Sequence, residues 1–405
     1  MMDGMDSFIY SLVLVPALTE LLPRSGIPAT TGNLGYYGSL LFALLLIGWG
    51  IALVWGPIAD RFGRVRTLMF TIVWFSVFTL ASAFAANVWQ LAVLRLLAGI
   101  GIGGEWSMGA SFVSEDWPEE RRTMGVSLMH TGYYFGFIVA AAANYFIGSH
   151  FGWRWMFVFG GTPALIIALL RRGIREPDRF EKRQAALEHT WTMRRAFLKI
   201  FSPEYRTRTI LNSLYLLVSI IGLWGGSVYM PAAIADLAAK AGRTADEGTR
   251  LASYGTALLG SGTIVGALVV PLVADRIGRK WTQAATFALM GGAIWMAFGV
   301  VFYLSSGALP WFMVCSFFLG LGGSNFITYS FWLPEQYSTE CRASAFAFTT
   351  NVGRFGGAAF TFLVGAGVRH FQTIGTPVAM TAIAFVIGLV ILPFAVETKG
   401  QPLPA

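Results

Sequence analysis

Residues 56–66 read Gly-Pro-Ile-Ala-Asp-Arg-Phe-Gly-Arg-Val-Arg and lie between two long apolar runs. The pattern returns at 271–280 as Pro-Leu-Val-Ala-Asp-Arg-Ile-Gly-Arg-Lys, again between apolar runs. The copies keep one register: Asp60 aligns with Asp275, Arg61 with Arg276, Gly63 with Gly278 and Arg64 with Arg279. A short charged turn that occurs twice, half a chain apart, marks a duplicated unit. The apolar runs around it mark that unit as a membrane bundle.

Composition agrees. The chain is 55% hydrophobic and 12% charged, with 47 glycines. A soluble domain carries about twice that charge. The apolar residues come in runs of roughly 20, the length of a bilayer-spanning helix, and glycine within such runs suits close helix packing in lipid. The formal net charge of +8 suggests nucleic acid at first sight. Lys and Arg gathered in loops on one side of a membrane explain it better, so no nucleic-acid partner is expected. Cys315 and Cys341 are the only cysteines, one in an apolar run and one at a loop, which argues against a disulfide framework. The opening Met-Met-Asp-Gly-Met-Asp has no basic region of a cleavable signal.

Twelve apolar segments are predicted, at about 5–22, 36–58, 67–86, 89–113, 123–147, 155–171, 209–230, 251–273, 282–304, 310–333, 343–367 and 376–396. Alternation across a bilayer sorts the loops into two sets. One set carries 21 of the 29 Lys and Arg, the other six, and Arg95 and Arg354 lie inside segments. This asymmetry predicts that both repeated turns and both termini face the cytoplasm. The expected fold is an all-α membrane protein of twelve transmembrane helices in two pseudo-symmetric six-helix bundles. The expected division is 1–171, a cytoplasmic linker at 172–208, a second bundle at 209–396 and a tail at 397–405. Within the linker, Trp191, Phe197, Leu198 and Phe201 alternate with Arg194, Arg195 and Lys199. That pattern suits either a helix lying on the inner leaflet or a disordered basic linker. The stretch Pro231–Arg250 is long for a loop in this arrangement.

These residues resemble the major facilitator superfamily over essentially the whole chain. Gly56-x-x-x-Asp60-Arg61-x-Gly63-Arg64 matches its signature after the second helix, and Arg95-x-x-x-Gly99-x-Gly101-x-Gly103 its fourth-helix motif. Gly103-Gly104-Glu105-Trp106, Glu115-Asp-Trp-Pro118 and Gly152-Trp-Arg-Trp155 are similar to the metabolite:proton symporters that carry sialic acid, lactate and aromatic acids. Asp3-Gly4-x-Asp6 is similar to a first-helix motif of the aromatic-acid branch. Glu397-Thr-Lys-Gly400 resembles the end of the sugar porters, with Val396 in place of Pro. In the family the Asp-Gly-x-Asp motif lies well inside the first helix, whereas only Met1 and Met2 precede it here. A start upstream and a shortened first helix both fit that departure.

Charges in the hydrocarbon region cost several kcal/mol and point to function. Arg95 and Glu105 share a segment but lie ten residues, about 15 Å, apart, so they cannot pair. Glu105 is the expected proton-coupling carboxylate, with Arg95, Asp3 and Asp6 beside it by resemblance; a structural acid is the competing reading. Arg354 presents a planar fork suited to a carboxylate and shares a helix face with Asn351. It is expected either to anchor an organic anion or to pair with an acid on another helix. His130, Tyr134, Trp224, Asn325, Tyr329 and Trp332 are candidate pocket residues, or simply packing. Ser324 takes the place of Glu105 when Gly322-Gly323-Ser324-Asn325 is laid on Gly103–Trp106. Asp60, Arg61, Gly63, Arg64, Glu115, Arg122 and Glu176 on one side, with Asp275, Arg276, Arg279, Glu335, Arg342 and Glu397 on the other, form an expected cytoplasmic gate between the halves. Their competing role is to cap helix ends.

The chain lacks His-Glu-x-x-His, Gly-x-Ser-x-Gly and Gly-x-x-x-x-Gly-Lys-Ser/Thr. An enzyme is therefore not expected, nor a cofactor or metal. The expected function is proton-coupled import of a small organic acid by alternating access, by a monomer in a bacterial inner membrane. The partners would be the bilayer, protons and the acid. A proton-independent facilitator or exporter of a sugar or drug-like solute, or a non-transporting solute sensor, are the rivals.

Overall fold

The computed structural model describes residues 1–55, 58, 64–116, 122–170, 197–338, 341–401 and 404, with the backbone alone at 64, 106–116, 122–124, 126–127, 163–170 and 342–343. Every regular element among the described residues is helical. The first six spans are α1 (Met2–Arg24), α2 (Thr31–Ile51), α3 (Arg64–Ser82), α4 (Val88–Asp116), α5 (Arg122–Ala143) and α6 (Trp153–Leu170). They are followed by α7 (Arg206–Ser227), α8 (Met230–Lys240), α9 (Ala245–Ile277), α10 (Arg279–Ile294), α11 (Ala308–Gly323), α12 (Asn325–Trp332), α13 (Arg342–Phe371), α14 (Gly375–Met380) and α15 (Ala382–Ile391). Among the described residues nine helical stretches are long and apolar enough to cross a bilayer. Among the described residues all twelve apolar segments predicted from the sequence are helical over most of their length.

The same neighbour pattern occurs twice. α2 packs on α4, and α4 on α3, which also meets α6; in the second copy α9 packs on α11, and α11 on α10, which meets α15. Glycine permits both central contacts. A Cβ at Gly48 would strike the Leu96 carbonyl oxygen, and one at Gly99 the Leu45 carbonyl oxygen. In the second copy Gly262 faces Phe317 and Gly320 faces Leu259 in the same reciprocal way. Backbones in direct contact gain dispersion energy that lipid cannot replace. The two sets of spans meet along α2 with α13 and α5 with α9.

The stretch 231–250 is accounted for by helix extension. α8 continues the direction of chain after α7, with Pro231 near its start, where a missing N–H costs nothing. α9 then begins on a capping box: the Thr244 side chain accepts from the Glu247 N–H while Glu247 accepts from the Thr244 N–H. Of the 172–208 linker, residues 172–196 lie outside the described residues. Beyond them the rings of Phe197 and Phe201 pack against Phe348 on α13, at 5.6 and 5.1 Å.

Candidate functional site

Arg95 projects from α4 into the interior of the first six spans and is fully buried. Its partner is Asp6 on α1, at 3.6 Å with neither side chain exposed. The guanidinium also donates to Ser82 at 2.8 Å and Thr79 at 3.3 Å, both on α3. It lies 4.7 Å from the centre of the Phe157 ring on α6. Four helices therefore converge on one ion pair. Sequence spacing required a partner other than Glu105; the structure gives Arg95 the partner Asp6. Asp3, one turn before Asp6, is also buried, and its carboxylate accepts from the Gly4 N–H at 2.8 Å. Glu105 is partly buried on the same helix as Arg95.

A second buried cation, Arg354 on α13, is 2% exposed. Its guanidinium lies 3.8 Å over the ring of Trp49 on α2. Trp49 meets Trp224 on α7 at 6.0 Å, and Trp224 meets Phe42 on α2 at 5.2 Å and Phe8 on α1 at 6.4 Å. Phe8 packs at 3.7 Å on Phe137 of α5, which also touches Tyr133 and Tyr134. The result is an aromatic cluster with members from both sets of spans and the Arg354 guanidinium over one of its rings. The indole N–H of Trp49 is buried and has no acceptor among the described residues. The cluster is held tight by α1 against α5. A Cβ at Gly4 would strike the Tyr133 carbonyl oxygen, and one at Gly136 the backbone at Met1 and Met5.

The remaining candidates divide. His130 lies 6.5 Å from Tyr134, and its Nε2 is 2.6 Å from the Ser330 hydroxyl, so it links α5 to α12. Asn351 shares α13 with Arg354, but its amide donates to Ala347 one turn back, at 2.9 Å. The Tyr329 hydroxyl is 2.9 Å from Ser219 and accepts from Gln283 at 2.9 Å, inside the last six spans. Asn325 donates to the Gly322 carbonyl at 2.9 Å and keeps a buried oxygen without a donor among the described residues. Trp332 stacks on Tyr215 and donates to the Val396 carbonyl at 3.0 Å. Both contacts lie within 209–396, apart from the cluster.

At the end of the bundle that carries the tail, the second-copy charges close on one another. Arg279 donates to both Glu335 oxygens, at 3.1 and 3.0 Å, and to Asp275 at 3.1 Å. Glu397 accepts the backbone N–H groups of Arg279 and Lys280, at 3.0 and 3.1 Å, and so caps α10. Lys399 donates to the Arg276 carbonyl at 2.7 Å, and the Thr398 hydroxyl donates to Glu335. Gly278 allows the turn with φ of 95°, a conformation that favours glycine. Burial raises the Glu397 carboxyl, but N–H bonds from Arg279, Lys399, Lys280 and Thr398 outweigh it and hold it below the usual range. Of the first-copy gate residues, Asp60, Arg61, Gly63 and Glu176 lie outside the described residues, as do the side chains of Arg64, Glu115 and Arg122, and of Arg342 in the second set.

Sequence reasoning missed Trp49 altogether. Its signal was present, since Trp49 lies seven residues before the repeated turn, but nothing along one helix says which ring an arginine on another will cover.

The Major Facilitator Superfamily model matches residues 1–361. The chain is 30% identical over 416 residues to a protein of Haemophilus influenzae assigned to metabolite transport, covering 99% of this chain and 95% of that one. It is 28% identical to the cis,cis-muconate transport protein of Acinetobacter baylyi, with 99% and 93% covered. Among solved structures it is similar in fold to a D-xylose-proton symporter, at a TM-score of 0.75 and 18% identity, with 99% and 98% covered.

Proposed function

The chain belongs to the Major Facilitator Superfamily, and on that premise we propose that this multi-pass membrane transporter imports a small organic acid together with protons. The family and the relatives are transporters and not enzymes. The observation that carries the acid is the Arg354 guanidinium, 2% exposed and stacked 3.8 Å over Trp49 in a cluster built by both sets of spans. A buried guanidinium in an aromatic enclosure binds a carboxylate by paired N–H bonds, while the ring faces take an apolar body. The unpaired Trp49 indole N–H supplies a further donor for a substrate oxygen. The muconate transport relative supports an acid of this size.

Protons would load on the acids of the first six spans. Asp6 held against Arg95, Asp3 beside it and the partly buried Glu105 are the candidate acids. Protonation of Asp6 releases Arg95 from its carboxylate, and rearrangement of four helices follows from one proton. The moving bodies are residues 1–171 and 209–396, joined by 172–208, and the site between them is exposed alternately. The excess of Lys and Arg at the loops of the terminal face supports a cytoplasmic side for that face and both termini, in the inner membrane of a bacterium. The clustered Arg279, Glu335, Asp275 and Glu397 then form the second-half side of the cytoplasmic gate.

Counterflow in proteoliposomes tests the solute assignment. Labelled muconate, benzoates, lactate, sialic acid and a neutral sugar would be offered to wild type and Arg354→Ala. Exchange of one carboxylate, lost on substitution, is the expected result. Exchange of the neutral sugar alone, indifferent to Arg354, would replace the reading with that of a facilitator.

A further inference from the structure

At the end of the bundle away from the repeated turns, the last turn of α3, the first turns of α4 and the link between them line an open groove of about 550 Å³. Its walls are apolar, with Phe84 and Ala85 from the link and Trp89, Val93 and Leu94 from α4. Phe84, Trp89 and Val93 are each more than half exposed, and the Trp89 ring meets Tyr37 of α2 at 6.1 Å. At this level of a membrane-spanning bundle an apolar groove faces acyl chains, and Trp marks the boundary with the headgroups.

The rim of the groove is polar and carries an excess of positive charge. Arg154, from Gly152-Trp-Arg-Trp155 at the start of α6, donates to the Ala85 carbonyl in the groove wall at 3.2 Å. It shares a single acid with Arg24: Glu20 of α1 lies 2.7 Å from Arg154 and 2.8 Å from Arg24. Glu20 also accepts from the Trp153 indole at 2.7 Å. Arg24 is held at the same rim, because the hydroxyl of its neighbour Ser25 accepts from the Val88 N–H at 3.0 Å. The adjoining turns 25–30, 83–87 and 148–152 contain no Asp or Glu. Two guanidinium groups therefore stand against one carboxylate. Beyond Trp89 and Tyr37 the next charge is again a cation, Arg369, 5.3 Å over the Tyr36 ring. Asn87 and Gln90 complete the rim. Each spends its side-chain oxygen on a backbone N–H at 2.9 Å, of Gln90 and Ala86 in turn, and each keeps an amide nitrogen with no acceptor among the described residues.

We propose that this groove is a binding site for an anionic phospholipid. An acyl chain lies along Phe84, Trp89 and Val93, and the phosphate meets Arg24, Arg154 and the amide nitrogens of Asn87 and Gln90. A guanidinium binds phosphate through paired N–H bonds, and an amide nitrogen adds a neutral donor. One net positive charge at a membrane surface favours an anionic over a zwitterionic lipid about fivefold, and salt reduces that. The bound lipid braces α1, α3, α4 and α6, the same four helices that converge on Arg95, and it stabilises them by mass action.

The test is native mass spectrometry of the delipidated full chain in a non-ionic detergent. Phosphatidylglycerol and phosphatidylethanolamine with the same acyl chains are added in equal amounts at low salt, and the first bound lipid is counted. Wild type should hold phosphatidylglycerol about fivefold over phosphatidylethanolamine. Arg24→Gln leaves Glu20 with Arg154 and Trp153 and should remove the preference. Val93→Trp fills the groove from an exposed position and should reduce the binding of both lipids. Arg243→Gln changes an exposed arginine at the same end of the bundle and should leave the preference as in wild type. Melting temperatures with each lipid should follow the same order. A wild type without preference, or a preference unchanged in Arg24→Gln, overturns the proposal and leaves the groove with bulk lipid only. A lipid-free dimer that Val93→Trp breaks would assign it to a second copy of the chain instead. None of these readouts involves transport, so failure of the acid-transport reading would show separately, in the counterflow assay.

Discussion

Replacing Asp6 by Asn gives the sharpest thermodynamic test of the ion pair. Asn keeps the volume and removes the charge, leaving Arg95 with Ser82, Thr79 and the Phe157 face, all neutral. At 3.6 Å and an effective dielectric of about 20, the lost attraction is about 4–5 kcal/mol. Removing one member of a buried pair typically costs about 3–5 kcal/mol, because the other charge stays buried without compensation. Arg95→Gln leaves Asp6 in the same position. The double variant Asp6→Asn with Arg95→Gln has two neutral amides that can bond each other and should recover most of either loss. The assay is thermal unfolding of purified protein in one detergent, read by intrinsic Trp fluorescence, across the full double-mutant cycle. Strong coupling, with the double variant more stable than either single one, is expected. Additive losses would refute the pairing and leave Arg95 as a cation solvated by hydroxyls alone.

Three further outcomes follow. Arg354→Ala should weaken binding of the transported acid by about 2–5 kcal/mol, Arg354→Lys by less, and Trp49→Leu by about 0.5–2 kcal/mol through the lost stacking; equilibrium binding of the labelled acid reads all three. Gly4→Leu or Gly136→Leu forces side-chain atoms into backbone across the α1–α5 contact and should destabilise by the upper end of ~1–3 kcal/mol. Gly132→Leu, where the added carbon meets open space on the same helix, should not, as melting curves will show. Because Glu397 has its carboxyl depressed in the folded protein, its contribution is fully present above the unfolded value of about 4.3 and is lost as pH falls through the lower folded value. The difference in melting temperature between wild type and Glu397→Gln should therefore be largest near neutrality and shrink below about pH 4. A difference constant from pH 3 to pH 7 would contradict the capping role.

Much of the architecture is legible along the chain because a bilayer enforces it. Twelve apolar runs, two copies of one charged turn and the lopsided Lys and Arg need only hydropathy and counting. Buried charges are legible for the same reason: Arg95 and Arg354 stand out against their surroundings. Their partners are not. Asp6 meets Arg95, and Trp49 meets Arg354, across helices whose relative rotation depends on glycine contacts such as Gly48 with Leu96. Helical periodicity along a single span contains no such information. The tail was half legible. The charge at Glu397 reads as either a gate or a helix cap, but that it caps the α10 N–H groups depends on the chain turning back after α15. Trp332 reads along the chain as either a pocket or a packing residue, and only the structure shows its indole bonded to the Val396 carbonyl.

The central claim is that proton entry drives uptake of an acid. Its most direct test is a pH jump in proteoliposomes, with uptake of the labelled carboxylate and internal pH recorded together for wild type, Asp6→Asn and Glu105→Gln. The account predicts acid-driven accumulation with matching proton entry in wild type. It predicts that coupling fails in Asp6→Asn or Glu105→Gln while exchange of the carboxylate continues. Uptake that ignores the pH gradient, or that stays fully acid-driven in both variants, would contradict it.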